Sequence, residues 1–112
     1  MRGDETAPST GELILRSHAR DSTIEIMVAG NLDMAAAFQL ETRLDALLAA
    51  GEVDTVELDL AQVGFVDSAG VGALLAVRER AHQMGTDLAI TRVSDRVRRI
   101  LDLTGLADIA DG

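Results

Sequence analysis

The pattern of apolar and polar positions changes period once between Val56 and Met84, and the rest of the chain is arranged around that change. Val56, Leu58 and Leu60 alternate with Glu57 and Asp59, the period-two signal of a strand with one wet face. Past Gly64 the period lengthens. Val71, Leu74 and Leu75 recur at helical spacing, and Gly85 follows Met84 as a stop. Residues 64–67 are therefore expected to form a loop, with Asp67 and Ser68 at its joint with a helix. Both are good N-cap types, because a short side-chain oxygen accepts from the free amides of a first turn. Gly70 and Gly72 keep that turn bare and leave the Ser68 hydroxyl approachable. An exposed hydroxyl at a positive helix end is a natural carrier of phosphate. A plain cap, with glycines serving close helix packing, accounts for the same residues.

Upstream, residues 12–17 and 23–29 are β-rich runs separated by a polar turn over 18–22, which predicts a hairpin. Ile24, Ile26 and Val28 share one side of the second run. Residues 30–33 break that strand and cap a helix over 34–50, with Leu40, Leu44, Leu47 and Leu48 as its buried stripe and Gly51 as its stop. Downstream, residues 87–92 read as a strand with Leu88 and Ile90 inward. Ser94 then caps a last helix with Val97, Ile100 and Leu101 as its stripe and Gly105 at its end. Residues 1–10 are polar, hold the only Pro and read as a flexible lead-in; residues 11–112 form a single domain.

The order β-β-α-β-α-β-α predicts a small α/β domain, a mixed sheet of four to five strands with at least three helices. An antiparallel hairpin opens it, and parallel strands with right-handed crossovers follow. Asp33, Ser68 and Ser94 each follow a parallel strand and open a helix. All three thus belong on one edge of the sheet, where open α/β sheets place their sites.

Composition narrows the chemistry. At 112 residues and 47% hydrophobic, the chain holds one core. Phe38 and Phe65 are its only aromatics, so a base-stacking platform is not expected. A net charge of −9 gives nucleic-acid binding no electrostatic support, and the cluster Arg92, Arg96, Arg98 and Arg99 reads as a solvated helix face. Without Lys there is no Schiff-base chemistry, and without Cys no thiolate, disulfide or cysteine metal site. No apolar run spans a bilayer and no signal-peptide core is visible, so a soluble cytoplasmic protein without membrane attachment is expected.

Enzymatic readings fit poorly. A nucleophile elbow needs Gly two residues before the Ser, and here Val66 stands there. His82 lies 14 residues along the same helix, about 21 Å from Ser68 at the helical rise, and His18 falls in the predicted turn. Asp33, Asp59 and Asp67 are conceivable magnesium ligands, but Asp59 belongs to the polar strand face. Gly70-Val71-Gly72 is too little for a dinucleotide fingerprint. No cofactor or metal is expected. Met27, Met34 and Met84 read as adaptable packing or rim residues. Phe65, just before Ser68, either plugs the core or docks a partner.

The stretch Val56-Glu57-Leu58-Asp59-Leu60, followed by Phe65-Val66-Asp67-Ser68-Ala69-Gly70-Val71-Gly72, resembles the signature of the STAS domain of anti-sigma factor antagonists and sulphate transporter tails. Gly30-Asn31-Leu32-Asp33 resembles the family's strand end, and residues 97–106 resemble its last helix. Together these pieces cover roughly residues 11–109 in the family's order. The resemblance implies a regulatory binding module, not an enzyme. It implies that Ser68 is phosphorylated by an anti-sigma factor that is itself a serine kinase, and that a PP2C-type phosphatase resets it. The unphosphorylated form would bind the anti-sigma factor and free a sigma factor. Asn31, Asp33, Phe65, Asp67, Ala69, Gly70 and Val71 would contact the partner. Asp33 would orient the Ser68 hydroxyl or touch the kinase, or serve as a plain cap. Ala69 leaves Ser68 as the single acceptor in the motif. The alternative is a STAS adaptor that is never phosphorylated, in a stress-signalling complex or beside a transport ATPase. The resemblance fixes no oligomeric state.

Overall fold

The structure, a computed structural model, describes residues 13–51 and 53–103. The proposed lead-in over residues 1–10 and the stop at Gly105 lie outside them. Four strands and three helices follow in the expected order. They are β1 (Ile14–Arg20), β2 (Thr23–Leu32), α1 (Met34–Ala49), β3 (Thr55–Val66), α2 (Ser68–Gln83), β4 (Asp87–Val93) and α3 (Asp95–Leu103). The sheet order is β1-β2-β3-β4, with β1 antiparallel to β2 and the other pairs parallel. This is the mixed four-stranded α/β architecture that the alternation of strands and helices predicts.

Three strands run further than the sequence pattern shows: β1 to Arg20, β2 through Gly30, Asn31 and Leu32, which the pattern reads as a break, and β3 to Val66. The opening hairpin turns within two residues, Asp21 and Ser22, because Asp21 takes the left-handed conformation at φ 54° that a short polar side chain tolerates. His18 therefore sits in β1 opposite Glu25, exposed, and not in a turn. The expected loop over residues 64–67 is also mostly strand. Between Met27 and Ala29 of β2, and again between Gly30 and Asn31, β3 carries one extra residue. Each bulge resets the alternation, so Leu60, Val63 and Val66, spaced by three, all face the core. A spacing of three looks like the end of a strand when read from sequence. Gly30 supplies the φ of 117° at the second irregularity, a conformation open to glycine.

The core is wholly aliphatic. Leu40, Leu44 and Leu48 of α1, Val71, Leu74 and Val77 of α2, and Val97 and Leu101 of α3 close on Ile26, Val28, Leu58 and Leu60 of the sheet. Leu47 and Ile100 are only partly buried, and Leu75 is exposed. Leu75 lies seven residues beyond Ser68, two turns along the same outward stripe, so its spacing from Val71 does not bring it inward. Helices α1 and α2 are tied side by side by Arg80, whose Nε donates to Asp45 at 2.8 Å and whose Nη2 donates to Glu41 at 3.2 Å. The bond to Glu41, above all, holds the Arg80 guanidinium above its ordinary pKa. Solvent screens this exposed cluster, so its main consequence is to fix which flank of α1 meets α2.

Candidate functional site

Because β2, β3 and β4 are parallel, they end on one edge of the sheet, and three helices start there. The first two starts are near copies. Asp33 (φ −94°, ψ −169°) accepts from the Ala36 amide at 3.0 Å, and Asp67 (φ −101°, ψ −174°) accepts from the Gly70 amide at 2.9 Å. Each extended aspartate thus satisfies one free donor of the turn it opens. At the third start, Ser94 Oγ accepts from the Val97 amide at 3.3 Å and donates to the Val63 carbonyl at 2.7 Å. That hydroxyl is committed to the fold.

Ser68 differs from both. The cap belongs to Asp67, so Ser68 is the first residue of α2 and its side chain is exposed. The choice between Asp67 and Ser68 as cap is settled by position. Its hydroxyl stands at the amide-rich end of a 16-residue helix, where the partial positive charge of the helix is concentrated.

The two glycines beyond it have opposite roles. A Cβ on Gly70 would overlap the Leu32 carbonyl oxygen and stand 2.6 Å from Val66 Cγ2. Gly70 is therefore what lets the first turn of α2 close onto the end of β2, where the Asp67 amide also donates to the Leu32 carbonyl at 3.3 Å. Gly72 has nothing within 4 Å of an added Cβ. It faces outward one turn past Ser68 and leaves the approach to the hydroxyl unobstructed.

The residues expected to meet a partner fall into three groups. Asn31, Phe65 and Ser68 are exposed, and Asn31 pairs with Phe65 across the β2–β3 ladder. Asp33, Asp67 and Ala69 are half-buried, while Gly70 and Val71 are buried beneath them. At 42% exposure Phe65 is no core plug. Asp33 serves as a cap, and Asp59 is engaged apart from it, accepting from the Ala61 amide at 2.9 Å and facing Arg92 at 3.6 Å. Two further apolar residues near this edge are exposed. Met34 and Phe38, one turn apart at the start of α1, are each 74% exposed. The visible clue was that position 38 falls off the Leu40, Leu44 and Leu48 stripe.

The Asp67 cap has a measurable consequence. Asp67→Ala leaves the Gly70 amide without its acceptor and is expected to lower stability by about 1 kcal/mol. In a thermal melt followed by circular dichroism that corresponds to roughly 4–8 °C for a domain of this size. An unchanged melting temperature would mean that water caps the turn equally well.

This arrangement defines a class of protein: a small α/β module that displays one hydroxyl at a helix start, flanked by two aspartate caps and a surface aromatic. Comparison with known proteins names the family. A family model described as "Mlab, STAS domain" matches residues 15–111, and the chain belongs to the STAS domain family. It is 33% identical over 97 residues to an anti-sigma-B factor antagonist of Staphylococcus epidermidis, covering 87% of this chain and 89% of the relative. Among solved structures it superposes on an anti-sigma factor antagonist from Mycobacterium paratuberculosis with a TM-score of 0.77 at 25% identity, covering 91% and 86% of the two chains. It also shares its fold with the Bacillus cell fate determinant SpoIIAA in the phosphorylated form, at a TM-score of 0.67 and 22% identity, covering 86% and 87%. Among the described residues no helix is long and apolar enough to cross a membrane.

Proposed function

We propose that the protein is an anti-sigma factor antagonist, a cytoplasmic binding module without catalytic activity, switched by phosphorylation of Ser68. The observation that carries this reading is the separation of roles at the start of α2. Asp67 caps the helix and leaves Ser68 exposed, so the hydroxyl can be modified without dismantling the cap. The relatives support it, since staphylococcal proteins that match over 87% of this chain are anti-sigma-B factor antagonists and the fold has been solved in a phosphorylated form.

In this reading the unphosphorylated chain occupies an anti-sigma factor and releases its sigma factor. The anti-sigma factor is also a serine kinase, which transfers the γ-phosphoryl group of ATP to Ser68 Oγ and leaves ADP and a proton. The new group carries a charge of about −1.5 to −2. It gains the free amides of the α2 start, so the fold changes little. A partner surface seated over Ser68 gains only bulk and a charge beside Asp67 and Asp33, and it dissociates. A PP2C-type phosphatase restores the binding form.

The test is intact mass after incubation with ATP and the serine-kinase anti-sigma factors of the source organism. One phosphate is expected on the parent chain and none on Ser68→Ala, because Ala69 removes the neighbouring acceptor. A stable complex with no phosphate on either chain would replace this reading with that of an unphosphorylated adaptor.

A further inference from the structure

Both aromatic residues of the chain are on its surface, and both lie at the Ser68 edge. Among the described residues the exposed large apolar side chains are Met27, Met34, Phe38, Phe65, Leu75, Met84 and Leu103. Three of these, Met34, Phe38 and Phe65, belong to the ends of β3 and α1 nearest Ser68, and Leu75 lies midway along α2.

Met34 and Phe38 are placed by the helix they share. Residues 34, 38, 41 and 45 lie on one flank of α1, since spacings of four, three and four return to the same side. Glu41 and Asp45 on that flank reach Arg80 of α2, so Met34 and Phe38 stand above the seam between the two helices. The starts of those helices are joined through Leu32, Asp67 and Gly70. Across the seam, α2 offers half-buried Ala69 and Ala76 and the bare Gly72, so nothing bulky on that helix covers the Phe38 ring. Ser68 and Leu75 form the far side. These residues make an apolar stretch of surface with Ser68 at its edge.

We infer that Met34 and Phe38 form the second half of the surface that receives the anti-sigma factor, and that the partner inserts an apolar segment flanked by basic side chains. This rests on the function proposed above. Two observations select that occupant. This stretch continues the exposed Phe65 and Ser68, and its border carries a net negative charge, from Asp33 and Asp67 at one end and from Glu41 and Asp45, which share the single cation Arg80, at the other. Exposed aromatic and Met side chains in an apolar patch with a charged rim are the composition of a docking surface. A second copy of this chain, at a net charge of −9, would bring acid against acid.

Isothermal titration of the unphosphorylated full chain into the serine-kinase anti-sigma factors of its organism tests this. Phe38→Ala and Met34→Ala are each expected to weaken binding by at least about tenfold, with unchanged thermal melts because both side chains are exposed. Phe38→Leu should restore affinity to within about threefold. Met84→Ala, 56% exposed at the other end of α2, should have no effect. Parent affinity in Phe38→Ala, or an equal loss in Met84→Ala, overturns the inference. So does sedimentation showing a dimer that Phe38→Ala dissolves while kinase binding is unaltered. If no kinase binds the parent chain, the functional reading falls as well, an outcome distinct from selective failure of the α1 variants.

Discussion

Gly70→Ala is expected to lower stability by about 3 kcal/mol, the upper end of the range for overpacking. That loss corresponds to roughly 12–24 °C in melting temperature for a domain of this size. The reason is the identity of the obstacle. Overpacking against a flexible side chain is relieved by a rotamer change, whereas the added Cβ here meets the backbone carbonyl of Leu32, with Val66 Cγ2 at 2.6 Å and Leu32 Cγ at 3.0 Å. Leu32 is fully buried at the end of β2, and its carbonyl already receives the Asp67 amide. Relief therefore requires the first turn of α2 to lift off the sheet, which breaks that bond and displaces Ser68. Gly72→Ala is the matched control, two residues along the same helix in open space. It should raise stability by roughly 0.5–1 kcal/mol, the usual gain on replacing a helical glycine. Thermal melts of the two variants should thus move in opposite directions. Equal shifts would show that the contact of α2 with the end of β2 is looser than the geometry requires.

The pair also shows what a sequence can and cannot reveal. Both glycines were legible as a bare first turn, but their opposite roles depend on where β2 ends, a relation between segments 38 residues apart. The element order, the Leu40, Leu44 and Leu48 stripe and the Asp33 cap were readable because they rest on local periodicity and local hydrogen bonds. The full extent of β3 was not. Its two bulges are set by pairing with β2, and a spacing of three carries no strand signal of its own. The surroundings of the α1 flank that carries Met34 and Phe38 were not readable for a related reason. An apolar residue off the stripe of a helix is ambiguous until the neighbouring helix is in place, and only the contact of Arg80 with Glu41 and Asp45 shows which neighbour borders that flank.

Ser68→Asp is expected to weaken binding of the anti-sigma factor by at least about a hundredfold, near 2.8 kcal/mol. Ser68→Ala should stay within about threefold of the parent. The side chain is exposed, so neither change is expected to shift stability by more than about 0.5 kcal/mol, roughly 2–4 °C in melting temperature. The effect belongs to the complex alone. In the free protein, water and the amides of the α2 start solvate the carboxylate. Under a docked partner the water is gone, and the charge lies beside Asp67 and Asp33 on one side and apolar surface on the other. Charge placed in a hydrophobic contact or next to carboxylates disrupts it by desolvation and repulsion. Ser68→Asn separates charge from bulk, since it is close to Asp in size and neutral. Titration calorimetry should place Asn near Ala and far from Asp, with the Asp deficit shrinking as salt rises toward 1 M, where the screening length is about 3 Å. If Asn binds as poorly as Asp, the switch acts by filling space above α2, and the aspartate caps have no part in it beyond holding the helix. If Asp binds like the parent, the partner does not cover Ser68, and phosphorylation there would not release it.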